Sequence, residues 1–204
     1  MVYNYVMNDN LEAATFGGGC FWCTEAIFKR LKGVASVTSG YSGGSRSLPS
    51  YEQVTTGATG HAESVNILFD PKIISFDRLL DVFWATHNPT IKNQQGNDVG
   101  TQYRSVIFYH NDKQRDEAIA SMKRLGEEKV YKNSVVTEIA PFTGFYSAEE
   151  YHQGYYDNNT EYPYCSLVIS PKITKLLEKF GSDVKEEFKI PSSRNDRDSG
   201  PERI

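Results

Sequence analysis

Three consecutive glycines, at positions 17–19, join a strand-like segment to a helix-like segment and are followed at once by Cys20. The segment 13–16 precedes them, and apolar residues recur at helical spacing after Cys20. Glycine lets the backbone turn sharply where a Cβ atom would clash. The sequence therefore predicts a strand, a tight turn and a helix that begins at or beside Cys20.

The predicted helix start bears on the chemistry of Cys20. Unpaired N–H groups and the positive end of the helix dipole favour a thiolate at this position. Because the thiolate is the nucleophilic form of cysteine, this placement suits redox or acyl-transfer chemistry at sulfur. We interpret Cys20 as a nucleophile rather than as a buried structural cysteine.

A glutamate continues the apolar face of a later strand. Val65, Ile67 and Phe69 alternate along 63–69, and Glu63 shares their face, toward the core. Burial disfavours the charged form of a carboxyl group, so we expect a raised pKa that lets Glu63 act as an acid near neutral pH. The residues alone equally allow an ion pair between Glu63 and an arginine such as Arg104.

The order of elements predicts an α+β domain, an α/β sandwich of two layers. Several connections between strands are loops, so the sheet is expected to be mixed. Strands are predicted at 34–41, 63–69, 103–110, 135–139 and 167–169. Helices are predicted at 76–87, 112–130, 148–155 and from 171, and the segment 51–61 is predicted to be a loop.

The length and the charge pattern indicate how many domains the chain forms and which functions it excludes. Its 204 residues suffice for one medium-sized domain. We expect a single catalytic domain over 1–190, with its core at about 13–180, and a charged, disordered tail over 191–204. A net charge of −4 with both signs interspersed argues against binding to nucleic acid, and no apolar run is long enough to span a membrane.

Cysteine usage indicates the compartment. The chain has three cysteines, an odd number, and two of them form a C-x-x-C pair. This suits a reactive thiol in a reducing compartment better than a disulfide framework. The segment 1–10 carries no secretion signal. We therefore expect a cytoplasmic protein.

Four sequence blocks together resemble the signatures of the A-type peptide methionine sulfoxide reductases. The blocks are Gly-Cys-Phe-Trp at 19–22, Pro-Ser-Tyr-Glu-Gln-Val at 49–54, Gly-His-Ala-Glu at 60–63 and Gly-Asn-Asp-Val-Gly-Thr-Gln-Tyr-Arg-Ser at 96–105. They occur in the family's order, and the resemblance covers about 15–180. It narrows the expected fold to the family's ferredoxin-like α/β sandwich with extended coil around it.

The resemblance implies a reaction and assigns its residues. The Cys20 thiolate attacks the sulfur of methionine S-sulfoxide, free or in a protein, and methionine leaves. Glu63 stabilises or protonates the sulfoxide oxygen, and Tyr51 and Tyr103 are hydroxyl donors to the same oxygen. The implied reductant is thioredoxin, with no cofactor and no metal.

The resemblance also implies how the substrate is held. Phe21 and Trp22 follow Cys20 directly, and an apolar wall suits the S-methyl group of the substrate. At helical spacing from the apolar residues of its own helix, Phe21 fits core packing equally well. Asp98 alone is typical of a turn, and the resemblance assigns it to shaping the substrate site.

Attack by Cys20 leaves a sulfenic acid, which condenses readily with a second thiol. Many family members carry resolving cysteines in a glycine-rich C-terminal tail, whereas this chain has no cysteine after Cys165. Cys165 and Cys23 are the two candidates for the resolving thiol, and direct reduction of the sulfenic acid by an external thiol is the alternative. Cys165 is preferred because Cys23, inside the predicted helix, can equally belong to the core.

Four other functions compete with the reductase interpretation. The C-x-x-C pair alone suggests a thioredoxin-like oxidoreductase, and His61 near Glu63 suggests a cysteine hydrolase. The aromatic segment 145–164 suggests a non-enzymatic binding module. A structural zinc site has the right atoms in Cys20, Cys23, His152 and Cys165, although its second half lacks a close ligand pair.

Overall fold

The computed structural model describes residues 10–189, so the predicted tail at 191–204 lies outside the described residues. The strands are β1 (Glu12–Gly18), β2 (Val34–Ser42), β3 (Ala62–Phe69), β4 (Gln94–Gln95), β5 (Asp98–Val99), β6 (Ser105–Tyr109), β7 (Glu138–Pro141) and β8 (Phe145–Ser147). The helices are α1 (Phe21–Phe28), α2 (Tyr51–Thr55), α3 (Phe76–Thr86), α4 (Asp112–Glu127), α5 (Tyr155–Asn158) and α6 (Ser170–Phe180). A π-helical turn, Cys165–Ile169, precedes α6, and short 3-10 turns include Thr101–Tyr103 and Glu150–His152.

Six strands form one sheet in the order β7-β6-β1-β3-β2-β8. The central strand β1 is antiparallel to both β3 and β6, and β2 is antiparallel to β3. The pair β6–β7 is parallel. The prediction of an α+β fold with a mixed sheet is therefore confirmed.

The core joins the central strand to two helices. The ring of Phe16 in β1 lies 5.4 Å from that of Phe28 in α1 and 5.0 Å from that of Phe83 in α3. All three side chains are fully buried, which stabilises the fold by roughly 1.5–3 kcal/mol each relative to exposure. Between residues 10 and 189, no helix has the length and apolar character that crossing a membrane requires.

The predicted strand at 167–169 is wrong, because this segment lies in the π-helical turn Cys165–Ile169. Residues two apart on a strand share a face, yet Leu167 is 75% exposed while Ile169 is fully buried. A short apolar run does not distinguish a buried strand from a buried helical turn. The helical turn carries Cys165 into the core next to α1.

The predicted loop at 51–61 is wrong in its first half, where α2 forms. Ser50 caps this helix: its hydroxyl accepts from the backbone N–H of Gln53, and the Gln53 side chain accepts from the backbone N–H of Ser50. This reciprocal capping box satisfies two N–H groups and was present in the sequence. It fixes Tyr51 as the first residue of α2.

Candidate active site

The turn between β1 and α1 places Cys20 as predicted. Gly19 has φ +92°, and a Cβ atom there would lie 2.5 Å from the Cβ of Gln95, so only glycine fits. Cys20 is the N-cap residue of α1, and its backbone carbonyl accepts from the N–H groups of Cys23 and Thr24. The residue is buried, with 7% of its surface exposed.

The first N–H group of α1 is aimed at a carboxyl group rather than at the Cys20 sulfur. The N–H of Phe21 donates to Oε2 of Glu63 across 3.0 Å, in a fully buried contact. Burial, the neighbouring Cys23 and the charge of Glu63 hold the pKa of Cys20 well above its ordinary value. Burial therefore opposes the thiolate that the helix start favours at Cys20.

Glu63 lies on β3 and is 2% exposed. Burial raises its pKa to about 8, although the hydrogen bond from Phe21 opposes this shift. At neutral pH the carboxyl group is thus mostly protonated and can donate a proton or a hydrogen bond. The alternative ion pair with Arg104 is wrong, since the Arg104 side chain contacts Glu138 at 3.2 Å.

Two tyrosines share the electrostatic environment of Glu63. Tyr51 begins α2, and burial, followed by the charges of Glu63 and Cys20, raises its pKa to about 12. Tyr103 ends a 3-10 turn, and burial, Glu63 and Tyr51 also raise its pKa. Both phenols therefore keep their protons at neutral pH and are available as hydroxyl donors beside Glu63.

The two aromatic residues after Cys20 take different positions. Phe21 is 1% exposed and packs against the ring of Tyr41 at 5.9 Å, in the core. Trp22 is half-buried: its ring stacks on Tyr155 at 3.6 Å and lies edge-on to Tyr164 at 5.9 Å. Trp22 therefore forms an aromatic wall beside Cys20 with the two tyrosines.

The sequence analysis did not assign to the site three residues that contact Trp22, namely His152, Tyr155 and Tyr164. His152 was weighed only as a zinc ligand, yet its Nδ1 accepts from the indole N–H of Trp22 at 3.1 Å. Tyr155 and Tyr164 lie in a segment whose aromatic residues show no period. Only the tertiary contacts with Trp22 distinguish them from the other eleven tyrosines.

Asp98 reaches the site through Tyr164. Its Oδ2 accepts from the Tyr164 hydroxyl at 2.8 Å, and the same hydroxyl lies 4.0 Å from the sulfur of Cys23. Burial, followed by the charges of Cys20 and Cys23, raises the pKa of Tyr164, so this phenol stays protonated. Asp98 thus orients a hydroxyl group beside the thiols.

The three cysteines are free thiols in one buried cluster. The neighbouring Cys20 lowers the pKa of Cys23, and burial opposes this shift. Burial and the charge of Cys23 raise the pKa of Cys165. The backbone N–H of Cys23 donates to the Cys20 carbonyl at 3.1 Å, so the two residues lie on the first turn of α1. The buried cluster also contains Ala26, Ile169 and Ile173.

The geometry does not support two of the competing functions. The ring of His61 accepts from the N–H of Gly44 at 3.1 Å through Nδ1, and its Nε2 lies 2.8 Å from the carbonyl of Arg46. Held by backbone groups on both sides, His61 is not a base for Cys20. Within residues 10–189, no three His, Cys, Asp or Glu side chains, those of the thiol cluster included, are close enough together to hold a metal ion.

A family model described as "Peptide methionine sulfoxide reductase" matches residues 12–184. The chain belongs to this family. The peptide methionine sulfoxide reductase MsrA of Sulfolobus acidocaldarius is 55% identical over 170 residues, which cover 83% of this chain and 96% of the relative. The reductase described here is thus an oxidoreductase that acts on a sulfur group.

Solved structures resemble the reductase as well. Reduced Mxr1 from Saccharomyces cerevisiae matches with a TM-score of 0.71 and 35% identity, over 78% of this chain and 91% of Mxr1. Mxr1 in complex with Trx2 matches with a TM-score of 0.52 and 25% identity, over 75% of this chain and 90% of Mxr1. These matches agree with the mixed α+β fold of the reductase.

Proposed function

We propose that this reductase converts methionine S-sulfoxide, free and in proteins, to methionine, with Cys20 as the nucleophile. The observation that carries the proposal is the hydrogen bond of 3.0 Å from Phe21 to Glu63, which fixes a protonated carboxyl group beside Cys20. A weakly basic sulfoxide oxygen needs an acid when the sulfur is attacked, and Glu63 supplies it.

The first step transfers oxygen between two sulfur atoms. The Cys20 sulfur attacks the sulfoxide sulfur, and Glu63 gives its proton to the sulfoxide oxygen. The attack forms an S–S bond, which breaks as the oxygen leaves the substrate sulfur and bonds to the Cys20 sulfur, so the substrate is reduced by two electrons and Cys20 is oxidised by two. The Cys20 proton restores Glu63, and the hydroxyl groups of Tyr51 and Tyr103 donate to the moving oxygen.

The substrate methyl group is proposed to lie against Trp22. Trp22 is half-buried and fixed by its contacts, whereas Phe21 faces the core and supports the wall from behind. Asp98 is proposed to orient the Tyr164 hydroxyl group at the edge of this site. An apolar wall with a few fixed polar groups suits a thioether bearing one polar oxygen.

The sulfenic acid on Cys20 is proposed to be resolved by Cys23, with Cys165 as the second candidate. The backbone N–H of Cys23 donates to the Cys20 carbonyl at 3.1 Å, which keeps the two cysteines within one helical turn, and the lowered pKa of Cys23 favours the attacking thiolate. The raised pKa of Cys165 leaves it a poorer nucleophile at neutral pH. This reverses the preference for Cys165 that the sequence suggested.

Thioredoxin is the proposed reductant of the resulting disulfide. The support is the solved complex of the related protein Mxr1 with Trx2, whose Mxr1 chain is 25% identical to this one. We also propose that the enzyme works in the cytoplasm, because an odd number of cysteines, all free in this structure, suits a reducing compartment.

We further propose that the described residues 10–189 belong to one catalytic domain with a ferredoxin-like core. Its support is the spatial order β6-β1-β3-β2 of the four central strands, with α1 after β1 and α3 after β3. This arrangement puts two helices on one face of an antiparallel sheet. The site lies where β1 ends and α1 begins.

The proposal is tested with a peptide that carries each methionine sulfoxide epimer. We expect the wild type to consume only the S epimer and Cys20→Ser to consume neither. With thioredoxin, Cys23→Ser should lose turnover but keep single-turnover methionine formation, while Cys165→Ser should turn over. Wild-type protein that reduces neither epimer would overturn the proposed function.

A further inference from the structure

One carboxylate, that of Glu149, holds two tyrosines that come from different elements. Its Oε1 accepts from the backbone N–H of Tyr51, the first residue of α2, at 2.9 Å. Its Oε2 accepts from the hydroxyl group of Tyr41 in β2 at 2.8 Å. Although burial opposes the shift, these two donors hold the pKa of Glu149 below its ordinary value. Glu149 is therefore a carboxylate at neutral pH, and hydrogen bonds to a charged acceptor are stronger than those between neutral groups.

The backbone around Glu149 is itself fixed. The N–H of Ala148 donates to the carbonyl of Ser39 in β2, and the N–H of His152 donates to the carbonyl of Glu149, both at 2.9 Å. The side-chain amide of Gln153 donates to the carbonyls of both Ser39 and Ala148 at 3.0 Å. The carboxylate therefore projects from a segment tied to β2, and it ties the start of α2 to the same strand.

The ring of His152 joins Tyr51 to the residues that follow Cys20. Its centroid lies 4.5 Å from that of the Tyr51 ring and 5.0 Å from that of the Phe21 ring. Nε2 of His152 lies 4.0 Å from Oε2 of Glu149. Glu149 thus contacts the backbone of Tyr51 and lies beside the ring on which the Tyr51 side chain packs.

We propose that Glu149 is a positioning residue for the first step of the reaction, in which it holds Tyr51 so that the Tyr51 hydroxyl group reaches the sulfoxide oxygen. This inference rests on the proposed function, which assigns that hydroxyl group to the oxygen. Glu149 acts through the main chain of Tyr51, so the carboxylate itself exchanges no proton with the substrate. A hydrogen bond to the main chain fixes where the side chain starts, and the rate depends steeply on the position of a catalytic group.

The test compares wild type, Glu149→Met and Glu149→Gln by single-turnover methionine formation at saturating substrate. Methionine is similar in length to glutamate but its thioether is only a weak acceptor, so we expect the rate to fall about tenfold. Glutamine keeps an oxygen for the N–H of Tyr51, and its amide can donate to the Tyr41 oxygen, so Glu149→Gln should keep most of the rate. Glu150→Met, which changes the exposed next residue, is the matched control and should react as fast as wild type.

Glu149→Asp takes the place of Glu149→Met if that variant does not fold. Aspartate keeps the charge and both oxygens, but it is one methylene group shorter, so its oxygens fall short of Tyr51 and Tyr41. We expect methionine formation to slow several-fold. Urea unfolding shows which variants are folded and can be compared.

A double-mutant cycle with Tyr51→Phe separates positioning from a general loss of stability. Phenylalanine keeps the ring and the backbone N–H but removes the hydroxyl group that Glu149 positions. In that background, Glu149→Met should slow methionine formation by less than about twofold, because the group to be positioned is absent. An equal factor in both backgrounds would overturn the role of Glu149 in placing the hydroxyl group.

The outcomes separate this inference from the proposed function. If Tyr51→Phe forms methionine at the wild-type rate, the proposed role of the Tyr51 hydroxyl group fails, and the inference fails with it. If Tyr51→Phe is slow while Glu149→Met and Glu149→Asp both match wild type, the role of Glu149 is overturned and that of Tyr51 stands. A Glu149→Gln variant as slow as Glu149→Met would also overturn the inference, because an acceptor for Tyr51 is then not what matters.

Discussion

The indole N–H of Trp22 donates a hydrogen bond of 3.1 Å to Nδ1 of His152, which lies 130 positions further along the chain. Because Nδ1 accepts, the neutral ring carries its proton on Nε2. Burial lowers the pKa of His152 and favours this neutral form. Tyr155 holds the face of the same indole at 3.6 Å. The wall beside Cys20 is therefore oriented by a segment distant in sequence.

We predict that His152→Phe weakens substrate binding more than it slows the chemical step. Phenylalanine keeps an aromatic ring but removes the Nδ1 acceptor of the Trp22 N–H group, so the indole is held only by ring contacts such as the stacking on Tyr155. A lost hydrogen bond with one partner left unsatisfied costs about 1–3 kcal/mol. We expect KM to rise several-fold with a smaller change in kcat, measured by steady-state reduction of a methionine sulfoxide peptide.

A double-mutant cycle with Trp22→Phe controls for the loss of packing. Without an indole N–H, His152→Phe should cost less free energy of unfolding than in the wild type, by about 1 kcal/mol. Equal costs in both backgrounds would contradict a stabilising role for the Trp22–His152 hydrogen bond.

Glu63→Gln is predicted to remove the acid while keeping an acceptor for the N–H of Phe21. General acid catalysis contributes about 100- to 10,000-fold, so methionine formation should slow by at least about 100-fold. In the wild type, the rate of methionine formation should fall as pH rises through about 8, because Glu63 loses its proton near that pH. The matched control is Glu25→Gln, because Glu25 is also buried and also accepts a backbone N–H, from Gly154. If the rate of methionine formation by Glu63→Gln still falls near pH 8, Glu63 is excluded as the acid.

The same carboxyl group predicts a pH dependence of stability. The pKa of Glu63 rises from an ordinary 4.5 to about 8 on folding, so the unfolded chain loses this proton first. The folded state then binds more protons, and its stability falls as pH rises between these two values. Relative to Glu63→Gln, the wild type should lose up to about 1.4 kcal/mol per pH unit in this window. Urea unfolding across this pH range measures the difference, and a constant difference would contradict the buried, protonated state.

Local patterns predicted the parts of the site that depend on nearby residues. The three glycines predicted the turn that presents Cys20, and the alternation after Glu63 predicted a buried carboxyl group on β3. Both predictions follow from periodicity and backbone sterics, which act over a few residues. The central strands of the sheet were predicted for the same reason.

Properties that depend on tertiary contacts were not predicted. The first N–H of α1 donates to Glu63, and burial raises the pKa of Cys20. His152 also entered the site unpredicted, through a contact with Trp22. Single-sequence patterns carry no information on which distant segments meet, so these residues had no local signal.

Gly19→Ala is predicted to impair both stability and catalysis. Gly19 has φ +92°, which alone costs a residue with a side chain about 1–2 kcal/mol, and the added Cβ would meet Gln95 at 2.5 Å. Gly96→Ala is the matched control, because Gly96 has φ +62° but no atom within 4 Å of the added Cβ. Gly19→Ala should therefore lower the free energy of unfolding more than Gly96→Ala does. Relief of the contact displaces the adjacent Cys20, and a shift of about 1 Å can slow catalysis about 100-fold. Urea unfolding and single-turnover methionine formation measure the two effects, and equal values for the two variants would show that the contact with Gln95 does not fix Cys20.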